Sequence, residues 1–175
     1  MALAVKSVPD FPPRTFCFRD TACVLRLLKP EDAPVLQRFF YSHTQETIHY
    51  RYGYMISEMT AERAHSLVAV DQSRDFALTL SSVDHQVIYA VGRYCLDPDG
   101  KKAEVAVVVA ESMRRLGLAR LLIKTLVKEA GSRGLEELNA MVLADNAPVL
   151  SLFHSLKFKR KNLPVDGSLE LVLKL

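Results

Sequence analysis

The segment from Glu104 to Ala119 constrains the fold of this chain more than any other. An apolar run containing Val105, Val107, Val108 and Val109 leads into Arg114-Arg115-Leu116-Gly117-Leu118-Ala119 and from there into an amphipathic helix. The helix is read from Leu118 onward: Ala119, Leu122, Ile123, Leu126 and Ala130 share one face, and Arg120, Lys124 and Lys128 repeat every fourth residue on the other. Gly131 and Gly134 are expected to close it. A strand that ends in a turn leaves backbone N–H groups unpaired, and the first turn of the next helix adds further donors at its positive dipole end. The succession therefore builds an anion site. Gly117 carries no side chain to block close approach of a ligand to the backbone. Arg114 and Arg115 beside it favour phosphate over a lone carboxylate.

A length of 175 residues fits one domain with a sizeable core. The expected division is an extended arm over 1–21, interrupted by Pro9, Pro12 and Pro13, and a single domain over 22–175. Lys plus Arg number 23 against 20 Asp plus Glu, and a net charge of +3 gives little reason to expect a nucleic-acid partner. Cys17, Cys23 and Cys95 are odd in number and form no C-x-x-C pair, so neither a disulfide framework nor a metal site is expected. No apolar run reaches the ~18 residues that span a bilayer. Ala2-Leu3-Ala4-Val5 ahead of Lys6 is too short for a secretory segment, and a cytoplasmic location follows by elimination. Nothing in the chain fixes an oligomeric state.

Val24, Leu25, Leu27 and Leu28 read as a strand, and Pro30-Glu31-Asp32 suits the first turn of a helix carrying Val35, Leu36, Phe39 and Phe40. A second helix is expected from Thr60 to Val70. Strands at 76–80, 87–94 and 104–110, with turns at Asp84-His85 and Asp97-Pro98-Asp99-Gly100, suggest an antiparallel meander. After the glycine-loop helix come a strand over 138–143 and a helix capped by Asn146, with Val149, Leu152, Phe153 and Leu156 on one face. Asp166-Gly167 then turns into a strand over 169–175. Tyr50, Tyr52 and Tyr54, alternating with His49 and Arg51, read more readily as a half-buried strand than as substrate contacts.

This order of elements resembles the GNAT superfamily of N-acetyltransferases. Arg114, Gly117 and Ala119 match the family's acyl-CoA loop, Q/R-x-x-G-x-G/A, and Asn146 through Phe158 is similar to its following strand-to-helix element. Ala103 to Val109, together with Glu46-Thr47-Ile48 and Arg51, is most similar to the acetyltransferase domain of bacterial Pat-type protein lysine acetyltransferases. The resemblance runs from Val24 to the C-terminus. It implies an α/β (α+β) fold: a mixed, mostly antiparallel sheet of about seven strands, splayed between the fourth and fifth, with about four flanking helices. It implies a stand-alone catalytic domain, since the chain leaves no room for the regulatory modules often fused to Pat-type domains. Two positions depart from the common pattern. Phe153 stands where many members carry a Tyr that protonates the leaving thiolate, an absence Pat-type domains often share, and Lys157 stands where a Gly usually precedes the Phe.

The resemblance implies acetyl-CoA as the acyl donor and a lysine amine as the acceptor, on a protein such as an acyl-CoA synthetase, with no metal, nucleic acid or membrane. A free lysine has a pKa of ~10.4, so only about one in a thousand is neutral at pH 7 and the amine must lose a proton before it attacks. Glu104 is the candidate base. At the head of a run of valines it is expected to be interior, where an unpaired carboxylate is costly; the competing reading is an exposed strand start paired with Lys101 or Lys102. The coenzyme site implied is Val107, Val108, Val109, Arg114, Arg115, Leu116, Gly117, Leu118, Ala119, Arg120, Asn146 and Phe153. In it, Arg114, Arg115, Arg120 and the loop N–H groups surround the pyrophosphate, while Val107 and Val109 offer backbone groups to the pantetheine arm and the thioester oxygen. Asn146 serves equally well as a plain helix cap. Ser151, His154 and Ser155 are unsupported as acids. A small-amine acceptor, or an acyl-CoA-binding domain without turnover, are the alternatives.

Overall fold

A computed structural model describes residues 10–52, 57–161 and 166–175. Eight strands form one sheet in the order β1-β2-β3-β4-β5-β6-β8-β7. They are β1 (Arg14–Phe18), β2 (Thr21–Leu27), β3 (Phe76–Ser81), β4 (Ile88–Leu96), β5 (Lys102–Val109), β6 (Glu137–Leu143), β7 (Lys159–Arg160) and β8 (Ser168–Lys174). Five helices accompany them: α1 (Ala33–Tyr41), entered through a 3-10 turn over Pro30–Asp32, α2 (Gln45–Tyr52), α3 (Ala61–Val68), α4 (Leu118–Ser132) and α5 (Ala147–Ser155). All neighbouring strands are antiparallel except β5 and β6. No helix among the described residues is long and apolar enough to cross a membrane.

The sheet divides two cores. On one face Leu118, Leu122, Ile123 and Leu126 of α4 pack with Phe76, Tyr94, Val105, Leu138 and Phe153. On the other, Leu36, Phe39 and Phe40 of α1 and Ala64 and Val68 of α3 pack with Ala77, Ile88 and Val91. The glycine in β4 is what lets α4 come so near: a Cβ at Gly92 would stand 3.1 Å from the Leu122 Cβ.

β5 supplies the feature that positions the site. It pairs with β4 from Ala103 to Val109 but with β6 only through Lys102–Glu137, Ala103–Leu138 and Glu104–Asn139. Beyond Glu104 the two parallel strands part, although each continues for several residues. The family resemblance implied a splay between the fourth and fifth of about seven strands; with the edge strand over Arg14–Phe18 included, the strands that part are β5 and β6.

Three expectations need correction. The arm over 1–21 is not irregular throughout: Arg14–Phe18 pairs antiparallel with β2 as an edge strand, clear of Pro12 and Pro13, and residues 1–9 lie outside the described structure. Edge pairing demands N–H groups on one side only, so the prolines just before it do not forbid it. Tyr50 and Tyr52 lie on helix α2 rather than a strand, and Tyr54 falls outside the described residues. The Thr44 hydroxyl accepts the Thr47 N–H at 3.3 Å and its carbonyl accepts the Ile48 N–H at 3.1 Å, starting a helix whose buried anchor is Ile48. Finally, α4 runs through Gly131. Its stop is Gly134 (φ 78°), with the Leu135 N–H donating to the Ala130 carbonyl at 3.1 Å in a Schellman turn.

The same turn ends α5, and it accounts for Lys157. The Phe158 N–H donates to the Phe153 carbonyl at 3.1 Å and the Lys157 N–H to the His154 carbonyl at 3.0 Å, which forces Lys157 to φ 72°. Phe158 closes edge-on against Phe153, ring centroids 4.9 Å apart. A residue with a Cβ is strained in that left-handed position, whereas glycine is not. Lys157→Gly is therefore expected to raise stability by about 1 kcal/mol, seen as a higher urea midpoint at unchanged m-value. An unchanged or lower midpoint would show that the turn exacts no strain.

Candidate active site

The parting of β5 and β6 opens a cleft of ≈ 720 Å³. One wall is Val105 to Val109, the other Ala140, Met141 and Val142, and α2 contributes Glu46, Thr47, Tyr50 and Arg51. The Ala110 N–H donates to the Tyr89 carbonyl on β4, and the Lys101 carbonyl accepts the Glu136 N–H on the β6 side. Because backbone polar groups alternate sides along a strand, the N–H and C=O groups of Val105, Val107 and Val109 face the cleft, where β6 no longer pairs with them. An extended ligand arm finds there the unpaired edge of a strand.

The N-terminus of α4 closes one end. Gly117 (φ 94°) is its cap residue and Arg115 precedes it at φ 60°, so successive N–H groups turn inward as an anion nest. No side chain caps the helix. The first intrahelical bond runs from the Leu121 N–H to the Gly117 carbonyl at 3.0 Å, which leaves the N–H groups of Leu118, Ala119 and Arg120 directed at the cleft. Arg114, Arg115 and Arg120 are exposed around this terminus, and Arg120 also donates to the Ser155 hydroxyl at 2.8 Å. Donor nest, free helix N-terminus and three arginines fit the pyrophosphate of a coenzyme A donor.

Of the residues singled out in the sequence, Val107, Val108, Val109, Arg114, Arg115, Gly117, Leu118, Ala119, Arg120, Asn146 and Phe153 all line this cleft. Leu116 packs instead against the α4-side core. Asn146 is buried, and its side-chain oxygen accepts the Val149 N–H at 3.4 Å, so it caps α5 while bordering the cleft. Phe153 is buried against Phe158. Ser155 donates to the Leu152 carbonyl at 2.6 Å, and His154 is exposed outside the cleft lining.

Glu104 differs from expectation: it is exposed, not interior. It is the last β5 residue paired on both sides, opposite Cys95 and Asn139, so it marks the apex of the parting on the α1 and α3 side of the sheet, past the area those helices cover. The lysines proposed as its partners bond elsewhere, Lys101 to Glu136 at 2.8 Å and Lys102 to Glu137 at 3.8 Å.

Glu111, in the 3-10 turn after β5, was not picked out by the sequence. Its carboxylate accepts from the Thr47 hydroxyl at 2.7 Å, the Thr44 N–H at 3.0 Å and His43 Nδ1 at 3.0 Å, while Arg114 lies 3.5 Å away and donates to the Thr47 hydroxyl at 2.5 Å. Burial alone would raise the Glu111 carboxyl, but the hydrogen bonds from Thr47, Thr44 and His43 outweigh it and hold it at about 2. Burial also pushes His43 below its ordinary value, more than Glu111 raises it. The pair is therefore a neutral imidazole donating to a carboxylate, with the proton on Nδ1, rather than an ion pair. Through it the arginine-bearing loop is fastened to the corner between α1 and α2. The i, i+3 spacing of Glu111 and Arg114 was the one local sign of it.

The architecture recurs among solved structures. The GNAT domain of PAT from S. lividans superposes with a TM-score of 0.85 at 22% identity, covering 95% of this chain and 100% of that one. The yncA protein of Salmonella typhimurium, solved with its cofactor acetyl-CoA, gives a TM-score of 0.71 at 19% identity over 87% of this chain and 93% of that one. The ribosomal-protein-alanine N-acetyltransferase of Brucella melitensis gives 0.70 at 20% identity, over 86% and 99%. At such identities these likenesses establish the fold. The family model described as the GNAT acetyltransferase family matches residues 36–158, well over half of the chain, and takes in the loop, the helix behind it and both walls of the cleft. The chain belongs to the GNAT family of acetyl-CoA-dependent N-acetyltransferases.

Proposed function

We propose that the chain transfers an acetyl group from acetyl-CoA to a lysine side-chain amine of a protein, by direct attack in a ternary complex. The observation that carries this reading is the cleft itself, in which the free edge of β5 leads from the unblocked N-terminus of α4 to Glu104 at the open apex. Arg114, Arg115, Arg120 and the N–H groups from Arg115 to Ala119 hold the coenzyme's phosphates. The pantetheine arm lies along Val105 to Val109 as an added strand would, and the N–H of Val107 or Val109 meets the thioester oxygen as negative charge develops on it. Asn146 borders the arm while capping α5.

Glu104, through a water molecule, takes the proton from the acceptor ammonium so that the amine can attack. Its exposure suits an acceptor side chain that projects from another protein onto the uncovered half of the sheet. The neighbouring cavity under α1 and α2 measures ≈ 40 Å³, far below the roughly 300 Å³ at which enclosed small-molecule sites begin. An acyl-CoA synthetase lysine is the acceptor class to which the Pat-type resemblance points.

Incubating a whole proteome with the protein and isotopically labelled acetyl-CoA, then mapping label by mass spectrometry, tests the reading. Label on a restricted set of protein lysines is the expected result. Label confined to small amines would move the acceptor to metabolites, and tight coenzyme binding without thiol release would leave a binding domain.

A further inference from the structure

The transfer needs a proton for the departing sulfur, and Phe153, where many family members carry a Tyr, has none to give. Its ring is 2% exposed and locked against Phe158. Among the described residues lining the cleft, the arginines keep their protons at any ordinary pH. Glu46 offers a carboxylate, a group that accepts hydrogen bonds. The Thr47 hydroxyl already donates to Glu111 at 2.7 Å. His43 is 4% exposed and belongs to the smaller cavity under α1.

Tyr50 remains. It stands on α2, half-buried, and lines the cleft together with Asn146 and Phe153. Its phenol lies above its ordinary value through desolvation and then through the charges of Asp145 and Glu46. Asn146, the cap of the helix that carries Phe153, and Phe153 itself line the same cleft, so a donor on α2 enters the space that the family's usual donor on α5 would enter. A phenol raised above its ordinary value of 10 carries its proton at neutral pH.

We propose that Tyr50 is the general acid of the reaction, delivering its proton to the coenzyme sulfur from α2 in place of the missing group on α5. The assignment rests on the acetyl-transfer reading above. As the amine nitrogen bonds to the acetyl carbon and the carbon–sulfur bond breaks, the phenol proton passes to sulfur and coenzyme A leaves as the thiol. The ammonium gives its first proton by way of water to Glu104, which passes it to solvent; the nitrogen's second proton leaves to solvent as the amide forms, the phenolate takes one back from solvent, and one proton is released per turnover. Charge and protons balance over the cycle.

The test is Tyr50→Phe in the full chain, assayed with two donors: acetyl-CoA, and acetyl 4-nitrothiophenolate, whose thiol is acidic enough to leave as an anion. With acetyl-CoA, kcat should fall about 10²-fold or more, at unchanged coenzyme affinity by calorimetry. With the aryl thioester the loss should all but vanish, which a merely structural role for the ring would not produce. Adding Phe153→Tyr to the variant should restore part of the acetyl-CoA rate. Equal losses on both donors, or wild-type turnover in Tyr50→Phe, would overturn the acid role and leave acetyl transfer standing. A wild-type chain that releases no thiol with any acceptor overturns both.

Discussion

Replacing Glu104 by Gln is expected to lower kcat by about 10²–10⁴-fold while acetyl-CoA binds as before, because the substitution keeps the size of the side chain and removes only its capacity to take a proton. The coenzyme contacts proposed for the chain lie beyond Glu104, on the loop and the β5 edge, and Glu104 itself is outside the cleft lining. Binding and turnover should therefore separate cleanly, with the whole loss in the chemical step. Glu104 is exposed, so the substitution leaves no buried group without a partner and the fold should be unaffected. Thiol release measured across pH, alongside calorimetric titration with acetyl-CoA, checks both halves. Full activity at every pH with the coenzyme still bound would remove Glu104 from the mechanism. A loss in Glu46→Gln with Glu104→Gln intact would move the base to α2, where Glu46 borders the cleft.

What was legible in the sequence was local. The donor-bearing turn ahead of α4 is spelled out by consecutive residues, because a strand, a glycine-bearing turn and a helix N-terminus need only each other to form. Helix α4 likewise declares itself through its own period, and the meander through its turns. The sequence left Glu104 between an interior and an exposed reading, because residue spacing fixes which face of β5 it occupies but not where the covering helices stop. Tyr50 and Tyr52 misled for a related reason: a two-residue alternation of aromatics looks like a strand until the Thr44 cap and buried Ile48 set a helical register. Lys157 was visible as an oddity, and only its backbone conformation says why glycine suits the site. The Glu111 hub was hidden by distance along the chain, its partners Thr47 and His43 lying 64 and 68 residues away.

That hub leads to the second large effect. Glu111→Gln keeps a side chain able to accept hydrogen bonds and removes the charge, so it isolates what ionisation contributes to the fastening between the coenzyme loop and the α1–α2 corner. The folded protein holds the Glu111 carboxyl at about 2 against an ordinary 4.5. A carboxyl depressed on folding stabilises the protein above its unfolded value, and that contribution drains away as pH falls from 4.5 toward 2. The full difference would correspond to about 3 kcal/mol. Because 30% of the side chain is exposed, solvent screening reduces the expected figure to about 2 kcal/mol. Urea unfolding should accordingly place Glu111→Gln about 2 kcal/mol below wild type at pH 7, with the gap narrowing steadily as the buffer is taken from pH 5 to pH 3. A gap that stays constant over that range would mean that the carboxylate acts by shape alone. The loop should loosen with it: Arg114 loses its anionic neighbour but keeps the Thr47 hydroxyl, so coenzyme affinity should fall less than stability does.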